Sequence, residues 1–315
     1  MSASQDLDLL AIGETLVDFI STEPVASLGE AEQFRRYMGG SPANIAVTVA
    51  RLGGRAAMAS RVGAGALGTF LRHELEQRQV NTDYLRHDPN HRTTVVFLTK
   101  SQGTPDFEVF HGADAELAPE DVPDAAIARA RLVHTSTFAL ARNPCRTTII
   151  GVLRKAAALG KIVSLDPNYS PLIWPDLAEA RAVLTELYAS VTITKPSLDD
   201  AARLFGAGLA PETYIARFHA LGPPTVVLTM GKNGTLLSHA GTLRHVPAQL
   251  VDNVADATGA GDAFWGGFLT AWLDALDPET CARVASAVVA QKLQHVGQQA
   301  APLDKQAIYR QIIGQ

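Results

Sequence analysis

The segment with the strongest chemical signal begins at Asp256 and reads Asp-Ala-Thr-Gly-Ala-Gly-Asp-Ala-Phe-Trp-Gly-Gly-Phe-Leu. Its small residues Gly259, Ala260 and Gly261 let backbone N–H groups approach a ligand closely, and they open a predicted helix whose positive end favours phosphate oxygens. The same field favours an ionised Asp262, which could deprotonate a hydroxyl that attacks a phosphoryl group. A glycine-rich turn in which Asp262 merely caps the helix explains the composition equally well.

A second segment begins at Gly39 and reads Gly-Gly-Ser-Pro-Ala-Asn-Ile-Ala-Val-Thr-Val-Ala-Arg-Leu-Gly-Gly. The pattern predicts a helix with Ser41 as its N-cap and Pro42 as its first residue. Gly39 and Gly40 again permit close backbone approach to a ligand. Asn44 falls in the first turn, where its amide either pairs with a ligand hydroxyl or simply adds polarity to the helix.

Short apolar runs alternate with helical patterns around these two segments. This alternation predicts an α/β fold, with a doubly wound, mostly parallel sheet covered by helices and ligands at the carboxyl ends of its strands. The predicted strands are Leu7–Ile12, Ala56–Ala59, Leu132–His134, Ile162–Leu165, Val191–Thr194 and Val226–Thr229. The predicted helices include Pro42–Leu52, Leu67–Gln79, Arg146–Leu159 and Ala178–Leu187.

Residues 14–37 and 92–111 depart from this alternation because they carry strand patterns without a crossover helix. Thr93–Thr99 and Phe107–His111 predict a hairpin that turns at Gln102–Pro105. We therefore expect residues 1–315 to form one α/β domain in which the two segments build a small discontinuous β lid.

Composition narrows the classes of partner. The 315 residues include 27 basic and 32 acidic ones, a net charge of −5 without a basic stripe, so we expect no nucleic-acid partner. Two cysteines, Cys145 and Cys281, are too few for a disulfide framework or a zinc site and favour a reducing compartment, the cytoplasm. No apolar stretch reaches the length of a membrane helix, and the N-terminus lacks a signal-peptide pattern, so we expect no membrane partner.

The two glycine-rich segments, in this order, closely resemble the two signature motifs of the PfkB, or ribokinase-like, family of carbohydrate kinases. The resemblance spans nearly the whole chain. It includes Asp18 after the first strand, Asp166-Pro-Asn168, Thr194-Lys-Pro196 and Thr229-Met-Gly-Lys-Asn-Gly234. It implies an ATP-dependent sugar kinase with Mg²⁺, and a lid that closes over the sugar and pairs two subunits into a homodimer.

The resemblance also implies roles for individual residues. Asp262 would be the catalytic base, and the backbone of Gly259, Ala260 and Gly261 would form the anion hole. The residues that match sugar-binding positions are Asp18, Gly39, Gly40 and Asn44. Those that match nucleotide-binding positions are Thr229, Gly231, Gly234 and Gly297, while Lys195 either reaches a phosphate or simply ends a strand. Asp256 and Thr258 match positions that bind a monovalent cation such as K⁺ in some relatives.

Two stretches depart from the family pattern. Where many relatives carry Asn-x-x-Glu near magnesium, this chain reads Ser197-Leu-Asp-Asp200, which puts metal binding there in doubt. Where many carry an acid, it reads Gly63-Ala-Gly-Ala-Leu-Gly68, and Asp88 follows twenty residues later. This spacing formally satisfies a dinucleotide-binding fingerprint. However, the glycine fingerprint lies on a later strand, and Asp88 falls in a predicted loop. The match is therefore only weak evidence for a dehydrogenase.

Among the sugar kinases, the chain most resembles fructokinases. Gly-Gly-Ser-Pro-Ala-Asn, Gly112-Ala-Asp-Ala115 and Asp166-Pro-Asn-Tyr169 are typical of that group. The main alternative is 2-keto-3-deoxygluconate kinase, whose acidic sugar needs a cationic partner. Ser170 stands where both groups usually carry arginine, which favours a neutral sugar, although Arg92 or Arg142 could substitute. A sugar-binding regulator on the kinase fold is the alternative of another class.

Overall fold

The computed structural model describes residues 6–100, 106–295, 297 and 301–314. Its strands are β1 Leu7–Ile12, β2 Leu16–Pro24, β3 Phe34–Gly39, β4 Ala56–Gly63, β5 Leu85–Asp88, β6 Val95–Lys100, β7 Phe107–Phe110, β8 Ala130–Ser136, β9 Ile162–Asp166, β10 Ile193–Thr194, β11 Thr225–Thr229, β12 Thr235–His239 and β13 Thr242–Val246. Its α-helices are α1 Ser41–Arg51, α2 Ala66–Gln77, α3 Asp124–Arg129, α4 Cys145–Ala158, α5 Leu177–Tyr188, α6 Leu198–Phe205, α7 Pro211–Leu221, α8 Ala260–Leu273, α9 Pro278–Lys292 and α10 Lys305–Ile313.

The main sheet has the strand order β13-β12-β11-β10-β9-β8-β1-β4-β5. Strands from β11 to β5 pair in parallel, and β12 and β13 extend one edge antiparallel. Alternate side chains of β1 enter two separate cores, with Leu9 in one and Leu10 in the other. Helices therefore cover both faces of the sheet, as the apolar runs predicted.

A second, four-stranded sheet has the order β3-β2-β6-β7. Its strands come from the two segments that broke the helix–strand alternation, so their predicted union in one small sheet is confirmed. We call it the lid sheet. The predicted turn at 102–105 lies outside the described residues.

The prediction for Asp88 is wrong, because this residue ends strand β5. Its carboxylate accepts the backbone N–H groups of Asn90 and His91, at 2.8 and 2.9 Å, and lies 3.5 Å from the Arg61 guanidinium. These contacts explain the acid at this position as part of a turn and an ion pair.

The carboxyl ends of β1, β8, β9, β10 and β11 meet at one edge of the sheet, which is where parallel α/β sheets bind ligands. Helix α8 packs against α1 and α9 beside this edge. Among the described residues, no helix is both long enough and apolar enough to cross a bilayer.

Candidate active site

The start of helix α8 forms the centre of the site. Gly259, the residue before the helix, has φ of +74°, a left-handed conformation that suits glycine. A Cβ at Gly261 would lie 3.2 Å from the Lys195 ammonium nitrogen. Asp262 follows in the first turn of α8. The peptide N–H groups at this helix start and the lysine thus offer positive charge to an anion beside the Asp262 carboxylate.

The two oxygens of Asp262 accept hydrogen bonds from helix α1. The Ser41 hydroxyl donates at 2.7 Å and the Asn44 amide at 2.8 Å. Ser41 is therefore not the predicted N-cap, because Gly40 precedes the helix and Ser41 turns its hydroxyl to Asp262. Burial raises the pKa of Asp262, and the two hydrogen bonds together with Lys195 and Lys292 oppose that shift. The remaining Asn44 amide oxygen is buried without a hydrogen-bond partner.

A cavity of about 590 Å³ opens in front of Asp262. The ends of β9, β10 and β11 and the starts of α6 and α8 surround it. Its lining residues are Asp166, Asn168, Lys195, Ser197, Leu198, Asp199, Asp200, Arg203, Thr229, Met230, Gly231, Gly259, Gly261 and Asp262. The structure therefore brings the predicted base, two anion-hole glycines, Lys195, Thr229 and Gly231 to one cavity.

Lys195 and Asp166 form a buried ion pair in the wall of this cavity, with Nζ and Oδ2 2.8 Å apart. Burial disfavours charge on Lys195, but the Asp166 carboxylate outweighs that effect and raises the pKa of the ammonium group. Lys195 therefore stays charged beside the predicted anion hole.

Asp18 and Gly39 approach each other from the paired strands β2 and β3 of the lid sheet. A Cβ at Gly39 would lie 2.2 Å from Asp18 Oδ2, so a larger residue would displace the carboxylate. Gly40 is equally confined, because its φ is +99° and a Cβ would lie 2.5 Å from the Glu14 carbonyl oxygen. Burial, with repulsion from Asp262 and Asp256, raises the pKa of Asp18 to about 7.

Glu14 is a site residue that the sequence interpretation missed. Its buried carboxylate accepts the backbone N–H of Ser41 and the hydroxyl of Ser136, both at 3.0 Å. Burial raises its pKa to about 8. Through the hydrogen bond from the Ser41 N–H, Glu14 holds the start of α1, which carries both donors to Asp262. An acid directly after Gly13, where the first apolar strand ends, was the available signal.

Two predicted nucleotide-binding glycines lie outside the cavity lining. Gly234 has φ of +84°, and a Cβ there would lie 2.3 Å from the Val246 carbonyl oxygen, so it shapes the turn between β11 and β12. Gly297 has φ of +69° and donates its N–H to Asp256 Oδ2 at 3.3 Å. A Cβ at Gly297 would lie 2.5 Å from the ring of Tyr37 in the lid sheet.

Ser197 and Asp200, where the sequence departs from the family pattern, form a helix cap. Asp200 Oδ2 accepts the Ser197 N–H at 2.9 Å and its hydroxyl at 2.6 Å, while Oδ1 accepts the Tyr169 N–H at 3.0 Å. Because both oxygens serve the protein, Asp200 fits a structural role better than a metal ligand.

The cation that the resemblance implies at Asp256 and Thr258 does not fit the folded residues. The ammonium group of Lys292 lies 3.2 Å from both the carbonyl oxygen and Oδ2 of Asp256. Asp256 Oδ1 accepts the backbone N–H of Thr258 at 2.9 Å. A positive charge already uses the oxygens that a K⁺ ion would need.

A second cavity, of about 310 Å³, lies between the end of β7 and the turn that precedes α4. Its lining includes the basic side chains of His91, His111 and Arg142, together with Glu116. Burial and the nearby charge of Arg142 lower the pKa of His111 to about 4. His111 is therefore neutral at pH 7, and Arg142 supplies the positive charge of this cavity.

Comparisons with known proteins agree with this geometry. A sequence model of the pfkB family carbohydrate kinases matches residues 6–306. The ATP-dependent 6-phosphofructokinase of Thermoanaerobacterium thermosaccharolyticum is 36% identical, over 92% of this chain and 89% of that protein. The fructokinase structure of Halothermothrix orenii is 38% identical, with a TM-score of 0.79 over 93% of this chain and 100% of that one. A double mutant of Vibrio cholerae O395 fructokinase, solved with fructose, ADP and potassium, is 27% identical, with a TM-score of 0.85 over 98% of this chain and 99% of that one.

The raised pKa of Asp18 predicts that Asp18→Asn stabilises the protein above pH 7. Below about pH 4 the carboxyl is protonated in both the folded and the unfolded chain, so the substitution should change little. Between pH 4 and about 7 the unfolded chain ionises first, and the folded state loses stability that the amide variant keeps. Urea unfolding at pH 8 should show a gain of about 1–3 kcal/mol, since the side chain is partly solvated.

The exposed carboxylate of Asp252 provides the matched control, and Asp252→Asn should show no such gain. An equal effect of Asp18→Asn at pH 4 and pH 8 would contradict the assignment of a desolvated carboxylate to the lid sheet.

Proposed function

The chain belongs to the pfkB family of carbohydrate kinases, and we propose that it transfers the γ-phosphoryl group of ATP to fructose with Asp262 as the base. The observation that carries this proposal is the half-buried Asp262 carboxylate at the start of α8, which lines the cavity beside Lys195 and the glycine turn. The similarity to fructokinases supports fructose as the acceptor.

In the proposed reaction, one acceptor hydroxyl lies against Asp262 and transfers its proton to the carboxylate as its oxygen attacks the γ-phosphorus. The bond between that phosphorus and the bridging oxygen of ADP breaks, and ADP leaves with the bonding electrons. The N–H groups at Gly259, Ala260 and Gly261 and the Lys195 ammonium stabilise the charge on the transferred group.

Helix α1 would position the acceptor through Asn44 and through the neighbouring Asp18, Gly39 and Gly40. The unpartnered amide oxygen of Asn44 can accept a hydrogen bond from a sugar hydroxyl. The Asp18 carboxylate can accept from two neighbouring hydroxyls, as sugar recognition commonly requires. A bound sugar would thus satisfy polar groups that the protein leaves available.

The donor would lie along Thr229 and Gly231, with its phosphates toward Lys195. When bound, Mg²⁺ neutralises the charge that develops on the phosphates. The cavity offers Asn168 and the exposed Asp199 as oxygen ligands for it, whereas Asp200 is used as a cap. We place the enzyme in the cytoplasm, since both of its cysteines are buried and unpaired.

An anionic acceptor is the second candidate, and the cavity beside Arg142 favours it. Arginine pairs with a phosphate or a carboxylate, so a sugar phosphate or the acid of 2-keto-3-deoxygluconate would suit this cavity. The 6-phosphofructokinase relative supports the phosphate case. A regulator without activity is the third candidate, and it would have no use for a base beside an anion hole.

We also propose that the lid sheet closes over the sugar and pairs with a second subunit. Phe19 and Phe34 contact Phe97 with ring centroids 5.0 and 5.2 Å apart, and Phe110 extends this aromatic surface. Phe110 is 50% exposed, which leaves apolar area for the same sheet of another copy to cover. Asp18 lies on the opposite surface of the sheet, because the side chains of β2 alternate.

Asp262→Asn should abolish turnover while sugar affinity stays within a few-fold. General-base assistance contributes about 10²–10⁴-fold, and the amide cannot accept the proton. ADP release with fructose, ATP and Mg²⁺ measures the rate, and calorimetry measures binding. Asp252→Asn, on an exposed part of the same loop, should leave both unchanged. If Asp262→Asn kept more than about a tenth of kcat, Asp262 would not be the base.

Fructose should exceed fructose 6-phosphate in kcat/KM by about tenfold or more, and Arg142→Ala should alter the fructose value by less than about threefold. The control Arg154→Ala removes an exposed ion pair between Arg154 on α4 and Glu186 on α5. Preference for the phosphorylated sugar, lost in Arg142→Ala but kept in Arg154→Ala, would favour the anionic acceptor instead.

Saturating fructose should slow hydrogen exchange of amides in residues 93–99 and 107–111, with little change in α10. Lid closure excludes water that would otherwise compete for the phosphoryl group. Unchanged exchange in both strands would contradict the lid, and a monomer in sedimentation at micromolar concentration would contradict the dimer alone.

A further inference from the structure

The last residue of helix α9, Lys292, carries a buried ammonium group that three oxygens surround. Nζ lies 3.2 Å from the carbonyl oxygen of Asp256, 3.2 Å from Asp256 Oδ2 and 3.2 Å from the carbonyl oxygen of His295. All three atoms are carbonyl or carboxylate oxygens, which accept hydrogen bonds and cannot donate them. A charged lysine has three N–H donors and satisfies all three, whereas a neutral amine has only two.

These contacts join the loop before α8 to the turn after α9. Asp256 Oδ1 accepts the N–H of Thr258, and Oδ2 also accepts the N–H of Gly297. The backbone N–H of Ala255 donates to the Leu293 carbonyl oxygen at 2.8 Å. One residue beyond Thr258 the same loop becomes the glycine turn of the anion hole. The position of Lys292 therefore fixes the peptide groups that would meet the transferred phosphoryl group.

We propose that the tethered ammonium of Lys292 takes the place of a monovalent cation beside the anion hole, so that this enzyme needs no K⁺. The proposal concerns cation dependence and rests on the proposed kinase function for its activity measurement. Lys292 is a positioning residue, because it acts through Asp256 and the loop that follows.

Electrostatics favour one cation at this position and oppose a second. A K⁺ ion bound to the Asp256 oxygens would lie within a few ångströms of Nζ, where two positive charges repel strongly in a partly buried site. Removing the ammonium group instead would leave the Asp256 carboxylate without its counter-charge, which is costly in a buried environment. A small cation could then bind where the lysine had been.

The test compares the wild type with Lys292→Ala in potassium chloride and in tetramethylammonium chloride at one ionic strength. Tetramethylammonium keeps the screening constant and is too large for the site. For the wild type we expect kcat and the KM for ATP to agree within about twofold between the salts. For Lys292→Ala we expect kcat/KM for ATP to fall about tenfold or more in tetramethylammonium and to recover severalfold in potassium.

A substrate-free measurement separates this proposal from the proposed function. The thermal midpoint of Lys292→Ala should be higher in potassium than in tetramethylammonium, because an ion that binds only the folded state stabilises it. The wild-type midpoint should show no such difference. If no sugar is phosphorylated, the kinase proposal fails, and these midpoints still decide the cation proposal.

Two further variants separate charge from packing. Lys292→Met retains most of the apolar stem of the lysine, and its side chain fills the space that a potassium ion would occupy. Its kcat/KM for ATP should therefore be low in both salts, and its thermal midpoint should be the same in both. Lys305→Ala removes another ammonium group, 2.9 Å from Asp274 Oδ2, and should behave as the wild type in both salts.

Stimulation of the wild type by potassium of more than about threefold would overturn the proposal. Full activity of Lys292→Ala in tetramethylammonium would also overturn it, as would a folded Lys292→Ala that potassium neither activates nor stabilises. If Lys292→Ala and Lys292→Met do not fold, the wild-type comparison between the two salts decides alone.

Discussion

The active site depends on compensating the charges that lie around the start of helix α8. A carboxylate removed from water loses its ionised form unless a cation or hydrogen-bond donors replace the solvent. Lys195 compensates Asp166, Lys292 compensates Asp256, and Asp262 receives two donors from α1. These pairings join the sheet edge, α1, α8 and α9, so the polar arrangement is built into the fold.

Small residues in α8 make this arrangement possible. A Cβ at Gly266 would lie 2.5 Å from Thr48 Cβ on α1, and one at Gly267 would lie 3.1 Å from the Ala285 Cα on α9. The paired glycines therefore let α8 pack closely against helices on two sides. On the α1 side, this approach brings Ser41 to Asp262. On the α9 side, it holds Lys292 near the loop that precedes the anion hole, so one short glycine pair serves both halves of the site.

Local patterns in the sequence were sufficient for six of the nine strands of the main sheet, for the lid segments and for the two glycine-rich helix starts, but not for strands β5, β12 and β13 at the two edges of that sheet. The partners of charged groups were not readable, because they lie far away along the chain: Ser41 and Asp262 are 221 residues apart. The assignment of Ser41 as a cap was wrong for that reason. Strand β5 was missed because Leu85–Asp88 contains only one apolar residue and reads as a polar loop. Lys292 gave no signal of its own, since a lysine at a helix end is usually a solvated, dipole-complementing residue.

The charge of the cavity also constrains how its ligands arrive. Its charged lining residues are Lys195, Arg203 and the four aspartates Asp166, Asp199, Asp200 and Asp262. In the proposed reaction, a nucleoside triphosphate that entered alone would meet repulsion from the unpaired carboxylates, and a divalent cation bound to its phosphates would offset that repulsion. The charge at Lys292 differs in kind, because it is covalently attached and its position does not depend on the concentration of a salt. A free ion would bind and leave with the composition of the medium, whereas the lysine keeps the anion-hole loop anchored whenever the chain is folded. Under the two proposals, divalent charge would enter with the nucleotide, and monovalent charge would be supplied by the chain itself.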